Sequence, residues 1–495
     1  MKFQTFNPIV THLKEPNLLF GENIGIPEPK IGWTLLGPLG NKGKIFEIKI
    51  ALIGDTESIS ELKDFLRRLE IKSNGLKNNL MHVGYPGLEN LKIKLKIIHS
   101  ALIGDKEIRE GMEKADSLSR RINNAVKIFK DRIESVCVRD PGPDIILISY
   151  PKLIDYYCIE QAVGKRVISR ASHYEKMIEK KKRLHKTLDN FDQHLVLQTK
   201  KDFLELRSAL KAISMENNVP IQILRPSTIE AYNASKPKRE DDATTFWNLI
   251  VALFYKSNNI PWKVENIDEN TCYLGVSFFK NRQNISNVKT SLAQVFSLNM
   301  DGMVLKGGEA SMDDNRSYHL REDDTKRIVN EAIEIFKLNK GYYPIRLVIH
   351  KTSRFDKDEI RGFSSVSDKI SKIDMVSFGS RKIKMIRWGK HPPLRGTLVK
   401  LPDKSILLYT FGYIPYFDNY PGPRVPSPLE ILEHHGSTQI EDLCSEILAL
   451  TRLNWNNAKF CSKVPVTLLF AKRVGNILRE CPDDIVQKNK FKFYM

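Results

Sequence analysis

Arg207 and Lys211 stand four residues apart, one turn apart on a single face if their segment is helical. Like charges in that relation repel by about 0.2–0.5 kcal/mol unless something negative bridges them. Gln222, Arg225 and the hydroxyls of Ser227 and Thr228 follow on a short strand and loop, and Lys256 ends the helix after that. Cationic ends, an amide and hydroxyls converging near helix termini are what a phosphate monoester requires. The plainer alternative is a set of ordinary surface groups that never meet.

The elements that must position these residues can be read from periodicity. Phe203, Leu206, Leu210 and Ile213 form one stripe, so 203–217 reads as a helix. A short strand at 220–224 and a helix at 244–256 follow. Upstream, short apolar strands (46–53, 93–103) alternate with charged helices (58–69, 105–129). The pentapeptide Ala-Leu-Ile-Gly-Asp at 51–55 recurs at 101–105 without a third copy, which marks two strand-turn-helix units and no repeat architecture. A β-branched run at 145–150, bounded by Pro141-Gly142-Pro143-Asp144, reads as a buried parallel strand. Downstream the spacing predicts a strand at 272–279, a helix at 324–338, a strand at 345–350, a helix at 356–362 and a strand at 374–377. A β-rich stretch at 383–412 and helices at 440–453 and 466–479 complete the chain. The class is α/β, with parallel and mixed sheets.

The chain has 495 residues, of which 41% are hydrophobic, enough for substantial cores and too many for wholesale disorder. No apolar run approaches the ~20 residues that span a bilayer, and Met1–Thr5 lacks a signal-peptide core, so a cytoplasmic protein without membrane contact is expected. The six cysteines are scattered and none has C-x-x-C spacing, which argues against a zinc module and fits a reducing compartment. Lysine and arginine exceed aspartate and glutamate by 19. Such an excess favours a polyanionic partner, nucleic acid first. Lysine-rich stretches at 200–201, 236–239 and 381–384 are candidate backbone contacts, and 172–190 reads as a solvated basic helix or loop.

Segment 206–229, Leu-Arg-Ser-Ala-Leu-Lys through Gln-Ile-Leu-Arg-Pro-Ser-Thr-Ile, resembles the MID domain of prokaryotic Argonautes. The resemblance continues through Phe246-Trp247-Asn248-Leu249, Phe254-Tyr255-Lys256 and Pro261-Trp262-Lys263. In that family a lysine, a glutamine and a second lysine hold the 5′-phosphate of the guide strand, and the matching positions are Lys211, Gln222 and Lys256. Where the family often has an aromatic residue stacking on the first base, this chain has Arg207, whose guanidinium can also stack on a base. The chain ends in Phe493-Tyr494-Met495. By the same resemblance the Met495 carboxylate helps hold Mg²⁺ at the guide phosphate, an ion that prefers such oxygens.

The C-terminal half resembles a PIWI domain. The likeness rests on Pro344–Thr352, Gly396-Thr397, Leu408-Tyr409-Thr410, Val425-Pro426-Ser427-Pro428-Leu429, the run 446–456 and Pro465-Val466-Thr467-Leu468. The implied fold is a Rossmann-like MID domain followed by an RNase H-like PIWI domain. The expected division is 1–140 as an N-terminal α/β extension of the MID half, 141–265 as MID and 266–495 as PIWI. A PIWI nuclease needs acids holding two metal ions about 3.5–4 Å apart. At the two matching positions this chain has Ser277 and Thr352, so no catalytic residues are expected. Glu309 lies near the place of a further glutamate, no acid or histidine matches the last ligand around 454–457, and Asp356 and Asp358 suit the first turn of a helix better than a metal.

The resemblance and the length together imply a short prokaryotic Argonaute without slicing activity. Such a protein holds a 5′-phosphorylated small RNA guide and recognises complementary single-stranded DNA of an invader. It then activates a separate APAZ-domain effector, with a TIR, sirtuin-like or nuclease domain, in antiviral defence by abortive infection. The chain's own Gly-rich pieces lack the strand-GxGxxG-helix context, so NAD chemistry is expected in the partner. The alternatives are a guide-dependent nuclease with atypical metal ligands and a nonspecific basic nucleic-acid-binding protein.

Overall fold

The computed structural model describes residues 8–41, 43–76, 81–160, 203, 205–231, 240–280, 288–296, 303–313, 317–381, 383–389, 392–420, 422, 424–480 and 488–495. The basic stretches 172–190, 200–201 and 236–239 lie outside them.

Two α/β layers carry the chain, as the sequence pattern required. The smaller is a parallel four-stranded sheet of β4 (Phe46–Gly54), β5 (Ile93–Leu102), β6 (Ile145–Ser149) and β7 (Ile221–Leu224), in the order β5-β4-β6-β7. Its central strand β6 is wholly buried, which is why it reads as Ile-Ile-Leu-Ile-Ser with no polar alternation. Alternate residues of β4 and β6 enter two separate apolar clusters, one on each face. The two Ala-Leu-Ile-Gly-Asp segments thus belong to neighbouring parallel strands, each followed by a helix (Thr56–Glu70 and Asp105–Glu113). The helix expected over 105–129 is two helices, because Ser117 caps a new one, Leu118–Cys137, by accepting from Arg120 N.

The larger sheet has ten strands. Its centre is β9 (Thr271–Lys280), β13 (Arg346–Lys351) and β14 (Lys372–Ser380), with β13 parallel to both neighbours. Antiparallel β10 (Val288–Phe296), β11 (Met303–Met312) and β12 (Tyr318–Leu320) extend it beyond β9. On the other side lie β17 (Leu429–His435), β16 (Ile406–Leu408), β15 (Thr397–Lys400) and, at the edge, β1 (Ile9–His12). Residues 46–102 therefore share a sheet with β6 and β7, whereas residues 9–12 lie on the large sheet. A small sheet of β2 (Leu18–Phe20), β3 (Ile24–Ile26) and β8 (Lys263–Val264) stands between. Glu15, in the segment between β1 and β2, receives bonds from Arg395 (2.7 Å) and Arg452.

Period-2 alternation assigns the faces of β9. Cys272, Leu274 and Val276 pack beneath the helix Glu322–Lys340, whose Ile328, Val329, Ile333 and Phe336 are fully buried in the same cluster. Tyr273 and Gly275 face the helix Val466–Leu478. A Cβ at Gly275 would lie 2.3 Å from the Thr467 carbonyl oxygen, so only glycine lets the first turn of that helix approach the strand. One apolar cluster runs from Leu18 through Trp247 and Trp455 to Met495, so both α/β layers share it.

Candidate functional site

The helix Leu206–Glu216 is capped by Glu205, whose carboxylate accepts from Arg207 N (3.1 Å) and Ser208 N (2.8 Å). Its apolar stripe faces the four-stranded sheet, and Lys211 is drawn in with it to 3% exposure. Lys211 has no hydrogen-bond or ion-pair partner for its ammonium among the described residues. Burial drives its pKa well below the lysine range, and Arg207, Lys256 and Arg473 push it further down.

Lys256 closes the helix Asp242–Lys256 and is fully buried. Its Nζ donates to the Ile221 carbonyl (2.9 Å) and to Gln222 Oε1 (2.6 Å), tying the helix end to the start of β7. Burial, then the charges of Arg207 and Arg473, bring its pKa down to about 7. Lys211, Gln222 and Lys256 are therefore brought together, with Arg207 exposed at the rim and its charge felt by all three other cations. Arg225 is not part of the group. Its guanidinium makes a two-point pair with Asp155 (2.7 and 2.9 Å), a commitment that no local pattern around either residue reveals.

Arg473 was absent from the sequence reading. It lies on the helix Val466–Leu478, which packs on the Leu206–Glu216 helix. Its Nη1 is buried without a hydrogen-bond partner, and burial followed by the Arg207 charge lowers its pKa to about 10. A buried donor left unmade costs about 1–3 kcal/mol, more when charged. Among the described residues Glu205 is the acid that raises Lys211, and that carboxylate is engaged in capping. A cluster of buried cations of this kind is one that an anion would complete. The C-terminal turn Phe491–Tyr494 packs against the three helices that carry Lys211, Lys256 and Arg473, and Met495 beside it is 2% exposed.

At the far side of the large sheet, Lys351 pairs in register with Val276. Ser277 and Thr352 are therefore the next residues on adjacent parallel chains, Thr352 just past the end of β13 and Ser277 within β9. Glu309 falls in β11, and its side chain lies outside the described set. Asp356 is the N-cap of the helix Lys357–Ser364 in a reciprocal capping box with Glu359, and Asp358 pairs with Arg361. Asp374, a buried acid of β14, lies toward the opposite end of the parallel strands. Burial raises its pKa, but bonds from His434, Thr438 and Arg346 outweigh this and hold it well below the usual carboxylate range.

Among the described residues, His319, Asp356 and Glu359 form the one His/acid group with ligand atoms close enough for a metal ion. Lys351 Nζ already occupies that place, 2.5 Å from both Glu359 oxygens and 3.4 Å from His319 Nδ1. An ammonium there repels a cation, so the group reads as a buried ion network that holds the end of β13. No helix among the described residues is long and apolar enough to cross a membrane.

A cluster of buried cations beside a parallel four-stranded sheet, joined to a ten-stranded mixed sheet, defines a two-layer α/β protein. No family model matches the chain. Among curated proteins, an Argonaute of Aquifex aeolicus (strain VF5) is 19% identical over 307 residues, 60% of this chain and 39% of that protein. Among solved structures, Clostridium butyricum Argonaute bound to a guide DNA and a 19-mer target DNA superposes with a TM-score of 0.62 at 13% identity, over 98% of this chain and 54% of that one. Drosophila Piwi gives 0.55 at 14% identity, over 98% and 56%. The chain is thus similar in sequence to an Argonaute and shares the MID–PIWI fold of these structures, and it spans about half the length of these relatives or less.

Proposed function

We propose that this chain is a guide-binding short Argonaute that cuts nothing itself. The carrying observation is the pocket of Lys211, Gln222, Lys256 and Arg207, where the buried lysines form no ion pair with an acid among the described residues. In this reading the pocket receives the 5′-phosphate of a small RNA. The guide then pairs with complementary single-stranded DNA, base pairing reads the sequence, and the protein reads the A-form backbone. By the PIWI resemblance, Ser277 and Thr352 stand where cleaving relatives carry metal-binding carboxylates, and hydroxyls cannot neutralise two divalent ions. Output then belongs to a separate APAZ-linked effector, TIR, sirtuin-like or nuclease, acting in defence of a prokaryotic cytoplasm.

Met495 is buried among the pocket's helices, and if Mg²⁺ accompanies the phosphate its main-chain oxygen would join the phosphate oxygens in holding it. Such an ion supplies charge neutralisation between two anions. The four cations do the remaining work of orienting and desolvating the phosphate.

A proton linkage tests the pocket. A lysine whose pKa is lowered in the free protein must be protonated to hold a phosphate, so affinity is greatest below about pH 7 and falls as pH rises through that value. The phosphate itself is already dianionic there, with its second pKa near 6. A 5′-phosphorylated guide should therefore bind on the order of tenfold or more weakly at pH 9 than at pH 7, since each pH unit costs about 1.4 kcal/mol per proton taken up. A 5′-hydroxyl guide should show no such loss. Parallel pH curves for the two guides would remove the lysines from the site.

A further inference from the structure

Arg473 belongs to the large-sheet half, whereas Lys211, Gln222 and Lys256 belong to the four-stranded half and the helix that packs on it. Its helix is seated on β9 through Gly275, where nothing larger than hydrogen fits against the Thr467 carbonyl. Two turns further on, the Arg473 guanidinium reaches the cluster with one buried nitrogen unpartnered. No acidic side chain from either half answers it among the described residues. The groups that face it are Arg207 and Lys211 on the Leu206–Glu216 helix and Lys256 at the end of the Asp242–Lys256 helix.

We infer that Arg473 is a fourth ligand of the end-phosphate, and that the bound phosphate staples the two α/β halves together. This rests on the reading of the pocket as a guide-end site. Without an anion, four basic groups meet across the junction, two of them lysines driven toward the neutral form by burial and by one another, and the junction lacks a counter-charge beyond the capping carboxylate of Glu205 among the described residues. With one, each half donates to the same phosphate oxygens, and arginine's planar fork can serve two of them. The pocket then reports guide loading to the strand-end side of the large sheet through a rigid helix seated on β9. A guide lacking its 5′-phosphate can fill the channel without closing the junction.

The test is equilibrium binding of one RNA in 5′-phosphate and 5′-hydroxyl forms to wild type, Arg473→Ala and Arg473→Lys. The ratio of the two affinities should fall roughly 10- to 100-fold in Arg473→Ala and partly recover in Arg473→Lys. An unchanged ratio in Arg473→Ala would overturn the assignment, as would equal weakening of both guides, which is the signature of a purely structural role. A wild-type ratio near one would instead sink the guide-end reading itself, so the two failures are distinguishable. Hydrogen exchange on the wild type covers the case of an alanine variant that does not fold. Slowed exchange in both 206–216 and 466–478, induced by the 5′-phosphate guide and not by the hydroxyl form, supports the staple. Protection confined to 206–216 contradicts it.

Discussion

Lys211→Ala should lower affinity for a 5′-phosphorylated guide by tens- to thousands-fold. Lys211 is a buried cation with no partner among the described residues, so the incoming phosphate is the counter-charge the fold has left out. Truncating one side of a buried, hydrogen-bonded charge pair costs about 2–5 kcal/mol, and each 1.4 kcal/mol is tenfold in affinity. Removing the lysine should act oppositely on the unliganded protein. A buried amine without a partner weakens the fold, whether held charged or forced neutral, so Lys211→Met, which keeps the volume and removes the polar group, should melt higher than wild type without guide. Loss of binding with a gain in stability is the pattern of a functional site that the fold tolerates at a cost. Titration by fluorescence anisotropy and a melting curve measure both effects, and wild-type affinity in the mutant would end the pocket assignment.

The second large effect concerns folding. Glu359→Gln should destabilise the protein by about 3–5 kcal/mol, the usual consequence of removing one partner of a fully buried ion pair. Lys351 and Glu359 are both 0% exposed and 2.5 Å apart. The carboxylate also accepts from Leu320 N (3.0 Å), Asp356 N (3.2 Å) and, with the imidazole donating, His319 Nδ1 (3.0 Å). Loss of its charge leaves the Lys351 ammonium buried beside the rings of Phe278 and Phe355, with a neutral amide oxygen and the Arg354 carbonyl (3.1 Å) in place of a carboxylate. Domains are held by only about 5–15 kcal/mol, so a shift of this size should show in a denaturant midpoint. Adding Lys351→Met should restore part of the loss, because the orphaned charge goes too. A single mutant within 1 kcal/mol of wild type would mean that solvent reaches the network. The pair also matters for position, since Lys351 immediately precedes Thr352 and anchors the strand end that sets it beside Ser277.

The legible parts of the molecule were those with local signals. The stripe through Leu206, Leu210 and Ile213 marked its helix, the unbroken apolar run at β6 marked a buried parallel strand, and the acids at 356 and 358 marked a helix start. Lys211, Gln222 and Lys256 were singled out by the MID resemblance, since their spacing alone equally fits surface groups that never meet. What was missed depends on contacts between segments far apart in the chain. Arg473 is an ordinary charged residue on an amphipathic helix until that helix is laid on Gly275. Arg225 looked available because nothing near it announces Asp155. β1 joins the large sheet as a four-residue edge strand with every residue exposed, so it has no alternation to detect. The end of the 105–113 helix did carry a local cue in Asp116-Ser117, a capping sequence inside a charged stretch read as one helix.

The most direct measurement is equilibrium binding of a single RNA guide to the wild-type protein in two forms, 5′-phosphate and 5′-hydroxyl, with Mg²⁺ present. Complementary single-stranded DNA is then added to the same samples and examined for cuts. A strong preference for the phosphorylated guide and an intact DNA strand are the results predicted by a pocket of unpaired cations coupled to adjacent parallel chains bearing Ser277 and Thr352. Equal affinities would reduce Lys211, Lys256 and Arg473 to a buried basic cluster without a ligand, and a cut DNA strand would show that the chain holds catalytic metals after all.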